Sequence, residues 1–367
     1  MLPIFGRRVY TTNETYMHRC LQLASLGQGR VAPNPMVGAV LVHDGSIIGE
    51  GYHQHYGHAH AEPNCLASVK AQDRHLISQS TLYVSLEPCA HFGKTPPCAD
   101  LIVREKIPNV IIGCRDPFPA VNGKGIERLQ SAGVNVRVGV LEDECREINK
   151  RFFVFHTQHR PFILLKWAQT ADGKIASASP ERLFISNDIS NRVVHKWRSE
   201  EAAILVGSGT ALADEPELTT RLWPGANPLR LVVDREEKLS GNQKIFNQKA
   251  PTIIFSRLRH TLPENIRAKA LKAGEKYYYQ VADDSSLVNQ ITMALYQLQV
   301  QSVMVEGGAR LLQMFIDADM WDEARVITNT EMVVGEGLNA PQLRDASLLK
   351  TETFGSDRIQ FFQNKTG

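Results

Sequence analysis

Apolar residues recur along this chain at two different periods, and the changes of period mark its elements. Met17, Cys20, Leu21 and Ala24 fall at helical spacing, which predicts a helix over 15–26 with Gly27 as its C-terminal cap. Two apolar runs, 36–43 and 47–52, flank Asp44-Gly45 and predict a β-hairpin. A helix over 61–70 follows. Pro63 fits only in a first turn, so that helix starts near His60. Short strands and helices then alternate: strand 81–85, helix 98–105, strand 110–112, helix 126–132, strand 134–138. Beyond Pro161 the alternation resumes, with strands at 162–166, 204–207, 231–234, 252–255, 277–281 and 303–306 and helices at 188–198, 285–298 and 309–318. Strands alternating with helices specify α/β layers. The charged segment 146–160 separates the two halves, and the expected domains are 1–155 and 156–367.

Composition sharpens that division. All six Cys precede residue 146, eight of the twelve His precede residue 92, and all four Trp follow residue 166. Residues sorted in this way indicate two units with different chemistry. Hydrophobic residues make up 43% and charged residues 22%, ordinary for a globular protein with a buried core. The formal net charge of +2 argues against a nucleic-acid-coating protein. No run approaches the length of a membrane span, and residues 1–14 have two Arg but no apolar core of a secretory signal. A cytoplasmic, reducing location is therefore expected, where clustered cysteines serve as metal ligands and buried thiols.

One cluster carries chemistry. His60-Ala61-Glu62 precedes Pro88-Cys89 and then Cys98. One His and two Cys form a three-ligand zinc set, and a three-ligand site keeps a position open for water, whose pKa zinc lowers to about 7. Glu62, two residues past the His, is placed to handle that water's proton. Cys98 opens a predicted helix, whose dipole favours its thiolate. His58 also sits near a helix start, but only His60 has Glu at the catalytic spacing. Cys20, Cys65, Cys114 and Cys145 lack such context and read as buried thiols.

The H-x-E and P-C elements resemble the zinc-dependent deaminases of nucleobases and nucleosides. Here eight residues, 90–97, separate the two cysteines where those enzymes have two. That longer loop, from Glu87-Pro88-Cys89 through Lys94-Thr95-Pro96-Pro97-Cys98, resembles the deaminase half of the bifunctional riboflavin-biosynthesis deaminase/reductases. So do Pro33-Asn34-Pro35-Met36-Val37-Gly38 and Asp116-Pro117 with Gly123 and Gly125. In the second half, 162–173 ending in Asp172-Gly173, 203–221 with Gly207-Ser208-Gly209-Thr210, and Val303–Gly308 resemble the reductase half in the same order. Gly207–Thr210 does not match the dinucleotide fingerprint G-x-G-x-x-G.

The resemblance implies an N-terminal, cytidine-deaminase-like three-layer zinc domain and a C-terminal, dihydrofolate-reductase-like domain that uses NADPH. It implies zinc-dependent hydrolytic deamination of 2,5-diamino-6-ribosylamino-4(3H)-pyrimidinone 5′-phosphate, then NADPH-dependent reduction of the ribosyl to a ribityl chain. Zinc would rest on His60, Cys89 and Cys98, with Glu62 catalytic and Asn34, His53 and Lys94 toward the substrate. Ala168, Thr210, Asp214 and the stretch from Gly308 would contact the cofactor. Lys166, Arg198, Leu218, Arg221 and Glu306 would face the ribosyl phosphate, for which guanidinium forks suit.

The chain departs from the family's S-G-x-S-x-W pattern at 179–184. Arg182 takes a Ser slot and is grouped with the substrate residues, while Phe184 takes the Trp slot on the cofactor. Phe118 replaces a frequent Asn after Asp116-Pro117. Arg235, after the strand at 231–234, is expected to meet a 2′-phosphate and select NADPH. Partners are small phosphorylated pyrimidines, with no nucleic acid and no membrane, and the chain is expected to form a homo-oligomer, dimer or tetramer. Two other readings stay open. One is a nucleoside or tRNA-base deaminase with an accessory domain, against which the near-neutral charge argues. The other is a non-catalytic zinc scaffold, against which the open ligand position and Glu62 argue.

Overall fold

The structure, a computed structural model, describes residues 11–92, 96–179 and 182–365. Lys94, Pro180, Glu181 and the first ten residues, on which the N-terminal reading partly rests, lie outside the described residues. The chain divides into two compact units, one up to Gln158 and one from His159 on. No helix among the described residues is long and apolar enough to cross a membrane.

The first unit runs α1 (Thr12–Ser25), β1 (Gly38–His43), β2 (Ser46–Tyr52), α2 (Ala61–Ser68), β3 (Thr81–Leu86), α3 (Cys98–Arg104), β4 (Asn109–Cys114), α4 (Lys124–Ser131), β5 (Asn135–Val138), α5 (Glu142–Ile148) and α6 (Lys150–Gln158). Thr11 and Glu14 close a capping box that starts α1 one turn earlier than the apolar spacing predicts. The helix ends on Leu26 in right-handed conformation, so Gly27 is not its cap. Asp44 and Gly45 both take positive φ, as the hairpin turn between β1 and β2 requires.

The sheet order is β2-β1-β3-β4-β5, antiparallel around β1 and parallel from β3 to β5. Side chains alternate across it. Ala39 and Leu41 join Cys65, Ile102 and Leu129 under α2, α3 and α4. Val40 and Val42 join Met17, Cys145 and Phe152 under α1, α5 and α6. The result is a three-layer α/β/α unit with a separate core on each face. The charged segment read as a boundary folds as α5 and α6, because Cys145, Phe152, Phe153 and Phe155 supply a buried stripe between its charges.

The second unit runs β6 (Phe162–Gln169), β7 (Lys174–Ser177), α7 (Asp188–Glu200), β8 (Ala203–Gly207), α8 (Ser208–Asp214), β9 (Leu229–Val233), β10 (Thr252–Ser256), β11 (Lys276–Gln280), α9 (Leu287–Gln297), β12 (Ser302–Val305), α10 (Ala309–Asp317), β13 (Glu323–Asn329), β14 (Gly337–Asn339), β15 (Ala346–Phe354) and β16 (Asp357–Asn364). Among the described residues a nine-stranded sheet has the order β11-β10-β9-β8-β12-β6-β13-β16-β15, parallel as far as β13 and antiparallel beyond it.

Ile163, Leu165 and Trp167 of β6 pack with α9 and α10 residues in one core. Lys166 alternates with them and projects to the opposite face, where α7 lies. The strand pattern missed β13 to β16. β13 is buried almost throughout and β15 is largely exposed, so neither shows a clean two-residue alternation.

Candidate functional site

The first site is assembled from a strand end and two helix starts. His60 is the N-cap of α2 and Cys98 the first residue of α3, while Cys89 follows β3. The ligand atoms of His60, Cys89 and Cys98 all lie within 4.8 Å of one another, the one such group of three among the described residues. His60 Nδ1 stands 3.6 Å from Cys89 Sγ and 3.4 Å from Cys98 Sγ, and the Cys98 backbone N–H donates to Cys89 Sγ at 3.4 Å. The Cys98 thiol, and then His60, lower the Cys89 pKa; the same thiol–thiol bond, and then burial, push Cys98 up. One imidazole nitrogen and two sulfurs, one of them held as thiolate, make a soft donor set that fits zinc. His58 is not in the group.

Glu62, in the first turn of α2, is buried, and burial raises its pKa, with the Cys89 charge adding to the effect. His53 is buried beside His60, ring centroids 5.4 Å apart. Its Nδ1–H donates to the Ala59 carbonyl at 3.0 Å, which leaves Nε2 to accept from Asn34 Nδ2 at 3.1 Å. Burial lowers the His53 pKa and keeps the ring neutral in that tautomer. The structure thus joins Asn34 and His53 to each other, with the His53 ring beside that of His60. Cys20, Cys65, Cys114 and Cys145 are free and buried, as their lack of motif context predicts.

The positioning role of Glu87 escaped the sequence reading. Glu87, one residue before Pro88-Cys89, accepts backbone N–H groups of Asp116 (3.3 Å), Gly123 (3.0 Å), Gly125 (3.0 Å) and Ile126 (3.3 Å). It therefore ties the strand end carrying Cys89 to the start of α4. A Cβ on Gly125 would lie 1.9 Å from the Pro88 carbonyl oxygen, so only glycine permits this approach. Burial pushes Asp116 up to about 7, with Glu87 and Cys89 as the neighbouring acids. The sequence signal was present in Asp116-Pro117, Gly123 and Gly125, but their carboxylate partner lies 29 or more residues away.

The second site lies at the C-terminal ends of β6, β8 and β12. Arg198 forks onto Glu306, Nε to Oε1 at 2.6 Å and Nη2 to Oε2 at 2.7 Å, with Nη1 on the Thr219 carbonyl at 3.3 Å. Lys166 Nζ stands 3.9 Å from Glu306 Oε2. Burial opposes the Glu306 charge, yet Arg198 and Lys166 hold its pKa at about 2. Lys166 is itself shifted down, by burial first. Arg221 is exposed and makes no side-chain hydrogen bond or ion pair among the described residues, while Leu218 is buried next to Thr219.

The cofactor-side candidates gather partly around α8. A Cβ on Gly307 would lie 2.8 Å from Thr210 Cγ2, and one on Gly308 would lie 3.4 Å from Thr210 Oγ1, so Thr210 and the start of α10 pack together. Ala168 pairs with Ile327 in the sheet. Asp214, the last residue of α8, meets Arg182, and Arg182 covers Phe184. Arg182, grouped with the substrate residues by resemblance, thus meets two residues expected on the cofactor side, Asp214 and Phe184. Arg235, after β9, forms an ion pair with Asp283, which also binds Arg257 at 2.6 Å.

His195 was not singled out in the sequence. It sits on α7 one turn before Arg198, buried, and its Nδ1 has no hydrogen-bond partner among the described residues. Burial, then Arg198 and Arg221, pushes its pKa down from 6.5 to about 4. Between those values the unfolded chain binds the proton and the folded chain does not, so stability falls as pH drops from about 6.5 to about 4. Thermal unfolding of His195→Gln should show a shallower loss of midpoint across this window than the unsubstituted chain. Identical slopes would contradict a buried neutral imidazole.

The chain was also compared with known proteins. The family profile described as "Cytidine and deoxycytidylate deaminase zinc-binding region" matches residues 10–114, and that described as "RibD C-terminal domain" matches residues 161–359. The riboflavin biosynthesis protein RibD of Aquifex aeolicus (strain VF5) is 40% identical over 363 residues, covering 96% of this chain and 98% of the relative. The protein of the same name from Escherichia coli (strain K12) is 36% identical over 329 residues, covering 85% and 86%. A solved diaminohydroxyphosphoribosylaminopyrimidine deaminase/5-amino-6-(5-phosphoribosylamino)uracil reductase from Thermotoga maritima superposes with a TM-score of 0.84 at 37% identity, covering 96% of this chain and 99% of its own. Acinetobacter baumannii RibD, form 1, gives a TM-score of 0.84 at 29% identity, covering 96% and 98%.

Proposed function

Because the chain belongs to the bifunctional deaminase/reductase family of riboflavin biosynthesis, we propose a division of labour in which residues 1–155 deaminate and residues 156–367 reduce. The substrate of the first step is 2,5-diamino-6-ribosylamino-4(3H)-pyrimidinone 5′-phosphate. The observation that carries this reading is the convergence of His60, Cys89 and Cys98 with buried Glu62 beside them.

His60, Cys89 and Cys98 would hold zinc, which when bound supplies Lewis-acid activation of water. Glu62 takes the proton of the attacking water and returns protons to the ring nitrogen and the leaving amine. Water adds at the amino-bearing ring carbon and ammonia departs, so one C–O bond forms as one C–N bond breaks. The raised pKa of Glu62 suits a group that must both accept and donate a proton. Asn34, oriented by His53, presents its amide to the pyrimidine edge. Lys94 is assigned to the substrate phosphate.

In the reductase unit NADPH would supply the hydride to the anomeric carbon of the ring-opened ribose. Ala168, Phe184, Thr210, Asp214, Gly308 and Arg235 are assigned to the cofactor, Arg235 exchanging Asp283 for a 2′-phosphate. Lys166, Arg198, Leu218, Arg221 and Glu306 form the substrate side. Arg198 is already forked onto Glu306, so exposed Arg221 is the guanidinium ready to pair with phosphate. Free, buried cysteines support a cytoplasmic location. Exposed Leu348 and Leu349 on edge strand β15 support a homo-oligomer, dimer or tetramer.

Metal removal tests the division. After dialysis against a chelator, the full chain should release no ammonia from the diamino substrate, yet still oxidise NADPH with pre-deaminated substrate. Loss of both activities, or of neither, would contradict it.

A further inference from the structure

Two of the departures from the pattern the chain resembles, Arg182 and Phe184, lie between β7 and α7 and touch. The Arg182 guanidinium lies over the Phe184 ring, its Cζ 4.9 Å from the centroid. Its Nη1 donates to the Asp214 backbone carbonyl at 3.3 Å, and its Nε stands 3.7 Å from Asp214 Oδ1. Asp214 ends α8, where unpaired carbonyls and the helix dipole favour a cation. Arg182 therefore has three partners of different kinds: a ring face, a carboxylate and a helix-end carbonyl. Phe184 is nevertheless 72% exposed. The guanidinium covers part of the ring, and most of the rest faces solvent.

Such an arrangement turns the Nε and Nη1 side of the guanidinium toward Asp214, which leaves less of the fork for a phosphate. It also calls for arginine in particular. A planar guanidinium can lie flat on a ring while its edge donors point elsewhere, which a lysine ammonium cannot do.

We propose that Arg182 is a positioning residue of the reductase unit: it fastens residues 182–184 to the end of α8 and holds Phe184 as a stacking platform for a planar ring of NADPH. The proposal rests on the reading of Phe184 and Asp214 as cofactor-side residues. In that reading Arg182 touches neither substrate nor cofactor, and acts through Phe184.

The test is NADPH affinity of the full chain, by calorimetry, for Arg182→Ala, Phe184→Ala and the double variant, together with the KM of the deaminated substrate. Each single variant should weaken NADPH binding by about 3–10-fold, the size of one aromatic or cation–π contact. The double variant should be no weaker than Phe184→Ala alone, because the two residues act in series. Arg182→Lys should stay weak, Phe184→Trp should retain affinity, and substrate KM should be unchanged throughout. A raised substrate KM with intact NADPH affinity in Arg182→Ala would make Arg182 a phosphate ligand and overturn the proposal. Additive losses in the double variant would overturn it as well. If the unsubstituted chain binds no NADPH, the cofactor reading itself fails and the proposal with it.

Discussion

The Glu62→Gln variant should release ammonia about 10²–10⁴-fold more slowly than the unsubstituted chain, the range by which a positioned proton-transfer group contributes. Glutamine keeps the shape of the buried side chain but cannot take a proton from water. His60, Cys89 and Cys98 are untouched, so zinc content should be unchanged. Reduction of pre-deaminated substrate should proceed at the unsubstituted rate, because no reductase candidate lies in the first unit. An assay that separates ammonia from NADPH oxidation reads both. Ammonia release within a few-fold of normal would assign the proton transfer to another group.

Arg198→Ala should have the largest effect in the second unit. The side chains of Arg198 and Glu306 are 11% and 6% exposed, and the fork is bidentate. Removing one partner of a buried pair leaves the other charge uncompensated and costs about 3–5 kcal/mol. Lys166, at 3.9 Å, moderates that cost toward the lower figure. Freed of its strongest partner, Glu306 should also titrate upward from about 2, so the stability its parent loses between the ordinary 4.5 and about 2 should shrink in the variant, and the gap between the two should narrow on acidification. Urea unfolding should show the loss, and NADPH oxidation should fall with it. The Arg198→Ala/Glu306→Gln pair should cost less than the sum of its singles, since the second change removes the stranded charge. A loss below about 1 kcal/mol for Arg198→Ala would place the pair among weak surface bridges.

The two sites differ in how far the sequence reveals them. His60 and Glu62 share a helix start, and Cys89 and Cys98 are nine residues apart, so the metal site is built from short-range signals. The Asn34–His53 bond was foreseen only as two separate candidates, because a 19-residue separation leaves no periodic trace. The Lys166–Glu306–Arg198 group draws on residues up to 140 positions apart and was reached through family resemblance alone. His195 was missed although it is one turn from Arg198, because an isolated histidine on a helix carries no pattern.

Errors of fold have similar causes. Helix α8 follows its N-cap Gly207 with Ser-Gly-Thr, a composition that favours turns, and runs only seven residues. Its start packs against Gly307, a contact invisible in local sequence. Helices α5 and α6 were hidden by charge, although Phe152, Phe153 and Phe155 are buried.

The central claim is that one chain carries two sites acting on the same pyrimidine nucleotide. The most direct test is to incubate the unsubstituted protein with the diamino substrate, with and without NADPH, and to resolve deaminated from reduced product. Without NADPH, ammonia and the deaminated ribosylamino compound should accumulate; with it, the ribityl compound should replace them. Absence of ammonia from zinc-loaded protein, or accumulation of the deaminated compound with NADPH left unoxidised, would contradict the account.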